Sequence, residues 1–114
     1  MNIKRGDIFL ATLDPAIGKE IAKTRPVVVV SNDINNQHSG TITILPITSK
    51  NLVKIYPFEV FISPGKTNLP KDSKIKADQI RTLDRRRLVK FIGKLEPEDL
   101  EAVDKAIQIH LSIL

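Results

Sequence analysis

Short apolar runs separated by closely spaced turn residues are the feature that most limits the fold of this chain. They occupy residues 8–13, 26–31, 41–48, 57–62 and 74–77, and a last run begins at Val89. Glycine, proline, asparagine or aspartate lies between neighbouring runs, as is typical of short strands. Before residue 96 only a single helical turn is predicted, at residues 84–88. We therefore expect a mainly β chain, a small barrel of five to seven short strands in one domain spanning residues 1–114.

Individual runs predict particular places in the sheet. The run after Pro26 holds four consecutive valines, residues 27–30, and a strand that is apolar on both faces is predicted to be central. Pro46 has no N–H to donate to a ladder, so a sheet edge or a bulge is predicted there. Residues 16–24 and 32–40 lack a regular period and carry glycine or several asparagines, so both are predicted to be loops.

The last segment has the pattern of an amphipathic helix that begins at Glu96-Pro97. Proline at the first helical position and an acidic first turn are typical of a helix start. Its apolar side chains cover about half of the circumference, more than the roughly 100° that a surface helix needs. The surplus predicts a homodimer, in which this helix packs on a second copy as well as on the barrel. The apolar arc comprises Leu100, Ala102, Val103, Ala106, Ile107, Ile109, Leu111, Ile113 and Leu114, and His110 within it is predicted to be packed or interfacial.

Composition excludes several classes of protein. The 114 residues include no cysteine, so neither a disulfide framework nor a thiolate nucleophile is available. No apolar stretch reaches the roughly 20 residues that span a membrane, and residues 1–7 lack the apolar core of a signal peptide. These features predict a cytoplasmic protein without membrane contact. The net charge is +5, and residues 66–94 hold ten basic side chains against three acidic ones, which favours a polyanion such as nucleic acid as partner.

The sequence gives little support for metal or cofactor chemistry. The two histidines, His38 and His110, lie in a polar segment and on an apolar helix face, and no carboxylate cluster has the spacing of metal ligands. The five glycines are dispersed, so no phosphate-binding glycine loop is present, and there is no nucleophile elbow. We therefore expect neither a metal site nor a cofactor.

Two residues at predicted strand ends have the chemistry of a phosphate site. Arg25 precedes the valine strand, and Thr48 ends the run 41–48. A permanently charged guanidinium and a hydroxyl can bind one phosphate if the two strand ends converge. The structural alternative is that Arg25 forms an ion pair with Asp78 or Glu59.

Six short motifs, in order and in register along nearly the whole chain, resemble the MazF/PemK toxin family. Any one of them alone is a weak signal, but their shared order and spacing make the resemblance specific. The motifs are Arg5-Gly6-Asp7-Ile8, Gly18-Lys19-Glu20, Arg25-Pro26-Val27-Val28-Val29, Pro46-Ile47-Thr48-Ser49, Tyr56-Pro57-Phe58-Glu59-Val60 and Ala77-Asp78-Gln79-Ile80-Arg81.

The resemblance implies an SH3-like barrel, a homodimer and a ribonuclease. Such an enzyme would cut single-stranded RNA, chiefly messenger RNA, at short sequences without metal. Cleavage would use the 2′-hydroxyl of the RNA and leave a 2′,3′-cyclic phosphate and a 5′-hydroxyl. The resemblance also implies a cognate antitoxin, whose acidic and initially disordered segment occupies the RNA groove.

Two residues are implied to be catalytic. Arg25 matches an arginine to which the family assigns proton transfer, and its guanidinium is suited to stabilising the negative charge that develops at phosphorus. Arginine holds its proton very tightly and is therefore a reluctant base, so charge stabilisation alone is the alternative role. Thr48 is expected to donate a hydrogen bond to a non-bridging phosphate oxygen.

Four further residues are implied to bind RNA. Glu20 is expected to act as a base or to read a base edge, and Ser49 to assist Thr48. The amide of Gln79 is expected to pair with a base, and Arg87 to neutralise the RNA backbone.

Departures from the family pattern concern the loop before Arg25. Lys19 stands where the family often has serine, and Lys23 or Thr24 stands where a second glycine is frequent. Because lysine takes a positive φ less easily than glycine, this loop is expected to differ in shape. Two other functions are compatible with the barrel: a toxin that poisons DNA gyrase and cuts nothing, and a non-catalytic RNA-binding module.

Overall fold

The computed structural model describes the backbone of residues 2–113 and, Lys66 apart, their side chains. Within this part of the chain, seven strands form an antiparallel sheet and a long helix follows them. The strands are β1 (Asp7–Thr12), β2 (Thr24–Val29), β3 (Thr41–Thr48), β4 (Glu59–Ile62), β5 (Ser73–Lys76), β6 (Arg81–Asp84) and β7 (Leu88–Lys94), and the helices are α1 (Asp33–His38) and α2 (Pro97–Leu111). The predicted mainly β class with a C-terminal helix is confirmed.

Strand β3 is the centre of the sheet, because it pairs with three other strands. β2 lies along one side, and on the other side β6 pairs with Thr41 to Ile44 and β5 with Ile47 and Thr48. The full order is β4-β5-β3-β2-β1-β7, with β6 beside β3. Of the two alternatives predicted at Pro46, the sheet edge is excluded, whereas an irregularity in the pairing is present. The residue falls instead in the gap between the β6 and β5 ladders, where a missing N–H costs no ladder bond.

The predicted loop at residues 32–40 contains the short helix α1. Asn32 caps this helix, because its side chain accepts a hydrogen bond from the N–H of Asn35 at 2.8 Å. Asp33 lies in the first turn, where a negative charge is favourable, and its carboxylate accepts from the N–H of Arg5 at 2.7 Å. The prediction failed because asparagine and aspartate are common both in loops and at helix starts.

Tight turns separate the last strands. Residues Ala77–Gln79 form a 3₁₀ turn after β5, so residues 78–83 do not simply continue that strand. The single helical turn predicted at residues 84–88 is present as a 3₁₀ turn over Arg85–Arg87. These turns allow β5 and β6 to pair with different parts of β3.

Apolar side chains pack on both faces of the sheet. Val28 belongs to the cluster that includes Val103 and Ala106 of α2, whereas its neighbours Val27 and Val29 belong to a second cluster. This alternation follows from the two-residue period of a strand. The valine run is therefore buried on both sides, and the prediction that β2 is central is confirmed.

Helix α2 leaves part of its apolar arc uncovered. Val103 and Ala106 are buried, but Ile109 is 46% exposed and Leu111 and Ile113 are also exposed. The His110 ring lies 6.3 Å from the ring of Phe58, centroid to centroid. Leu114, the last member of the predicted arc, and Met1 lie outside the described residues. None of the helices found in residues 2–113 has the length and apolar character to cross a membrane.

Candidate active site

The start of β2 and the end of β3 bring Arg25 and Thr48 into one cleft. The antiparallel register pairs Val27 with Pro46, and extending it by two residues places Arg25 opposite Thr48. Both side chains line the same cleft, which has a volume of about 610 Å³. The two strand ends therefore converge, as a shared phosphate site requires.

Arg25 points a largely unpaired guanidinium toward this cleft. Its Nε donates to the carbonyl oxygen of Ala22 at 2.8 Å, which fixes the orientation of the group. Among residues 2–113, no carboxylate forms an ion pair with it, and Glu59 is paired with lysines instead. The structural alternative, an ion pair with Asp78 or Glu59, is not found. The two terminal nitrogens of Arg25 are thus placed to bind an anion with two parallel hydrogen bonds.

Thr48 is nearly buried, and its hydroxyl has a fixed acceptor role. The N–H of Lys50 donates to Thr48 Oγ1 at 3.2 Å. A hydroxyl has two lone pairs and one hydrogen, so this bond leaves the hydrogen available for another acceptor. The Thr48 hydroxyl can therefore donate its hydrogen to a phosphate oxygen bound in the cleft.

The loop before β2 forms one wall of the cleft and contains Glu20. A carboxylate oxygen of Glu20 accepts from the N–H of Ile17 at 2.6 Å, so this acid also closes its own turn. Gln79 lies beside the loop and lines the cleft with Glu20. Its side-chain oxygen accepts from the N–H of Ile21, and its amide nitrogen donates to the carbonyl of Lys19, both at 3.2 Å. Gln79 thus clamps the loop, and one amide hydrogen remains for a ligand.

Lys23 takes the unusual conformation that the family pattern would give to glycine. Its φ is 70°, in the left-handed region. Its N–H donates to a carboxylate oxygen of Asp14 at 2.9 Å, and its carbonyl accepts from the N–H of Leu13 at 2.9 Å. These bonds hold the strained residue in place, so Lys23 takes a positive φ without a glycine; the expected difference in loop shape from the family stays a prediction.

The other two predicted RNA ligands lie outside the cleft lining. Ser49 follows the end of β3 and is not among the residues that line the cleft. Arg87 donates through one terminal nitrogen to the carbonyls of Thr12, at 3.1 Å, and Asp14, at 2.6 Å. Arg87 therefore holds the end of β1. Neither Ser49 nor Arg87 lines the cleft that contains Arg25.

A buried charge network below the cleft was missed by the sequence analysis. Lys74 and Lys76 project from β5, and their Nζ atoms lie 3.0 and 2.6 Å from the two carboxylate oxygens of Glu59. Burial opposes ionisation of Glu59, but hydrogen bonds from Lys76, the Tyr56 N–H and Lys74 outweigh it and lower the pKa of the carboxyl. The available signal was Glu59, an acid inside an otherwise apolar strand-like run.

Cations dominate the lining of the cleft. Among the described side chains, six basic residues and two acidic residues line it, with Glu59 beneath. The basic ones are Lys19, Lys23, Arg25, Lys50, Lys74 and Lys76, and the acidic ones are Glu20 and Asp78. In the described part of the chain, no group of three or more histidine, aspartate or glutamate side chains is arranged to hold a metal. The arrangement suits a polyanion whose phosphate reaches Arg25 and Thr48.

One family and several known proteins are similar to this chain. Residues 4–111 match the family described as PemK-like, MazF-like toxin of type II toxin-antitoxin system. The chain is 41% identical over 116 aligned residues to endoribonuclease MazF9 of Mycobacterium tuberculosis, covering 97% of this chain and 98% of that protein.

Two crystal structures from Deinococcus radiodurans have the same fold. MazF has a TM-score of 0.84 and 26% identity, with 99% of each chain covered. A MazE–MazF structure has a TM-score of 0.78 and 26% identity, with 100% of this chain and 99% of that chain covered.

Proposed function

Because the chain belongs to the PemK-like, MazF-like toxin family of type II toxin–antitoxin systems, we propose that it cuts single-stranded RNA, chiefly messenger RNA, at short sequences and without a metal ion. Family membership gives the class, an endoribonuclease toxin. One observation carries the proposed chemistry: Arg25 and Thr48 line a single cationic cleft.

The proposed reaction is an internal transfer within the RNA. The 2′-oxygen attacks phosphorus and loses its proton, while the bond to the 5′-oxygen breaks and that oxygen gains a proton. The products are a 2′,3′-cyclic phosphate and a 5′-hydroxyl. Arg25 stabilises the charge on the phosphorane, and Thr48 donates to a non-bridging oxygen. Glu20, in the loop that forms one wall of the cleft, supplies a carboxylate that can accept the 2′-hydroxyl proton.

A cleavage assay with defined single-stranded RNA tests this proposal. Wild type in EDTA should yield fragments with cyclic phosphate ends, identified by mass spectrometry. Arg25→Ala should lower the rate by roughly 10²-fold or more, because charge stabilisation in the transition state is lost. Arg86→Ala is the matched control, since Arg86 is an exposed arginine paired with Asp84.

Four results would contradict the proposal. An unchanged rate in Arg25→Ala would reject the site, and a strict metal requirement would reject the chemistry. Tight RNA binding without cleavage would favour an RNA-binding module. Inhibition of added DNA gyrase, with no RNA cleaved, would favour a toxin that poisons gyrase.

Three properties of the molecule in its cell belong to the same proposal. The exposed end of α2, with Ile109, Leu111 and Ile113, is the surface proposed to join two copies. A cognate antitoxin with an acidic, initially disordered segment is proposed to bind the cationic cleft and so compete with RNA. Messenger RNA as substrate implies action in the cytoplasm.

A further inference from the structure

Lys74 is a buried lysine whose ammonium connects the cleft floor to the loop after β3. The residue is 3% exposed and pairs with Thr48 in the β3–β5 ladder. Its Nζ donates to the backbone carbonyls of Asn51 and Lys54, at 2.9 and 3.2 Å, and to Glu59 at 3.0 Å. All three donors of this ammonium therefore have acceptors.

The loop held by Lys74 is anchored differently in its middle and at its end. Residues 49–58 lie between β3 and β4 without regular structure, and Val53 at the tip is fully exposed. At its far end Phe58 packs against the apolar core, and the N–H of Tyr56 donates to the carboxylate of Glu59 at 3.0 Å. Among the described residues, the middle of the loop has no such apolar anchor and is tied to the buried ion pair through Lys74.

The first residues of this loop determine the orientation of the Thr48 hydroxyl. Lys50, whose N–H donates to Thr48 Oγ1, directly precedes Asn51, whose carbonyl is bound by Lys74. Loss of the ammonium would release the Asn51 carbonyl and, with it, the position of the Lys50 N–H. The Thr48 hydrogen would then lose its preferred direction.

We propose that Lys74 is a positioning residue for RNA cleavage: by holding the loop after β3, it fixes Thr48 and Lys50 against the scissile phosphate. This inference rests on the proposed function of the cleft. A buried ion pair by itself is weak evidence for stabilisation, because desolvation offsets much of the attraction. Because the ammonium also donates to two backbone carbonyls of the loop, its role includes holding the loop in position.

Kinetics of Lys74→Met test the positioning role. The variant should fold, and its kcat should fall by roughly 10- to 100-fold with KM changed by less than about threefold, because binding groups remain while alignment is lost. Lys71→Met, which removes an exposed lysine three positions earlier, should match wild type. A wild-type kcat in Lys74→Met would overturn the proposal, as would a change confined to KM.

Chemical rescue separates positioning from general destabilisation. Because the chain has no cysteine, Lys74→Cys introduces a single thiol. Alkylation with 2-bromoethylamine in denaturant, followed by refolding, restores an ammonium on a chain of lysine-like length. This protein should regain kcat to within about threefold of wild type, whereas protein alkylated with iodoethane, which adds no hydrogen-bond donor, should not. Equal activity of the two alkylated proteins would overturn the proposal.

Limited trypsin digestion tests the loop without RNA. Lys50 and Lys54 lie within the loop, so cleavage after them reports its release. The rate should rise about tenfold in Lys74→Met and stay near wild type in Lys76→Met, which also removes a cation from Glu59. Equal rates in all three proteins would overturn the proposal. If wild-type protein cleaves no RNA but digestion is faster in Lys74→Met, the nuclease function is rejected while the role of Lys74 in holding the loop stands.

A second variant covers failure of Lys74→Met to fold. Lys74→Gln is neutral but keeps two N–H donors on a shorter side chain. In the same assays it should fall between wild type and the iodoethane-treated protein. Wild-type values for both kcat and digestion rate would overturn the proposal.

Discussion

The N–H of Lys23 donates to Asp14 at 2.9 Å while Lys23 holds a φ of 70°. Left-handed backbone costs a lysine about 1–2 kcal/mol, whereas glycine pays little there but loses about 0.4–1 kcal/mol through greater freedom of the unfolded chain. Lys23→Gly should therefore raise the free energy of unfolding by up to about 1 kcal/mol, measured by urea denaturation.

Lys19→Gly is the matched control for this prediction. Lys19 lies in the same loop and is not among the residues with positive φ. The substitution there brings only the entropic cost and should lower the free energy of unfolding by about 0.5–1 kcal/mol. The same sign of change at both positions would contradict the strain at Lys23.

Thr48→Val should remove the proposed phosphate donor while keeping the shape of the side chain. Loss of one transition-state hydrogen bond is expected to lower kcat by roughly 10²- to 10³-fold. Thr48→Ser keeps the hydroxyl and should lose much less. Thr82→Val, at an exposed threonine of β6, serves as control in the same RNA cleavage assay. Equal activity of Thr48→Val and Thr48→Ser would show that the hydroxyl has no part in catalysis.

Glu59 should make the fold sensitive to acid. Its pKa in the folded protein lies below the ordinary value of 4.5, so its contribution to stability is present above that value. It is lost as pH falls through the folded pKa, because the unfolded chain then binds the proton more readily. The free energy of unfolding of wild type should therefore decline in this acidic window.

Glu59→Gln isolates this contribution from other carboxyls. Burial raises the pKa of Asp7, so protonation of that group acts in the opposite direction. Between pH 7 and about pH 3, the free energy of unfolding of Glu59→Gln should vary less steeply than that of wild type. Glu101→Gln, at an exposed position of α2, should follow the wild-type slope. A wild-type slope in Glu59→Gln would contradict the role of the buried pair.

Ile109→Asp tests the surface proposed to join two copies. A charge among Ile109, Leu111 and Ile113 would have to be buried without a partner in the dimer. Light scattering should give twice the chain mass of 12.8 kDa for wild type and a value near 12.8 kDa for the variant. Lys105→Asp, at an exposed position of α2, should leave the mass unchanged. A dimer that survives Ile109→Asp would place the interface elsewhere.

Local patterns in the sequence were enough to predict six of the seven strands and to identify strand-end residues for a candidate site. The four valines indicated a buried central strand, and β2 is that strand. Arg25 and Thr48 were identified as strand-end residues, and antiparallel pairing of β2 with β3 brings those ends together. Their chemical roles stay predictions. Segment 32–40 was mispredicted because caps and loops share residue types.

Contacts between distant parts of the chain decided the rest. Gln79 clamps a loop about 60 residues earlier, and Lys74 holds a loop about 20 residues earlier; neither partner can be read from nearby sequence. The sequence by itself determined which residues could form strands and which charges were available, because side-chain period and composition are local properties. Only the tertiary structure decided that Lys74 is buried and that, within residues 2–113, Arg25 forms no ion pair, because burial and pairing depend on which strands meet.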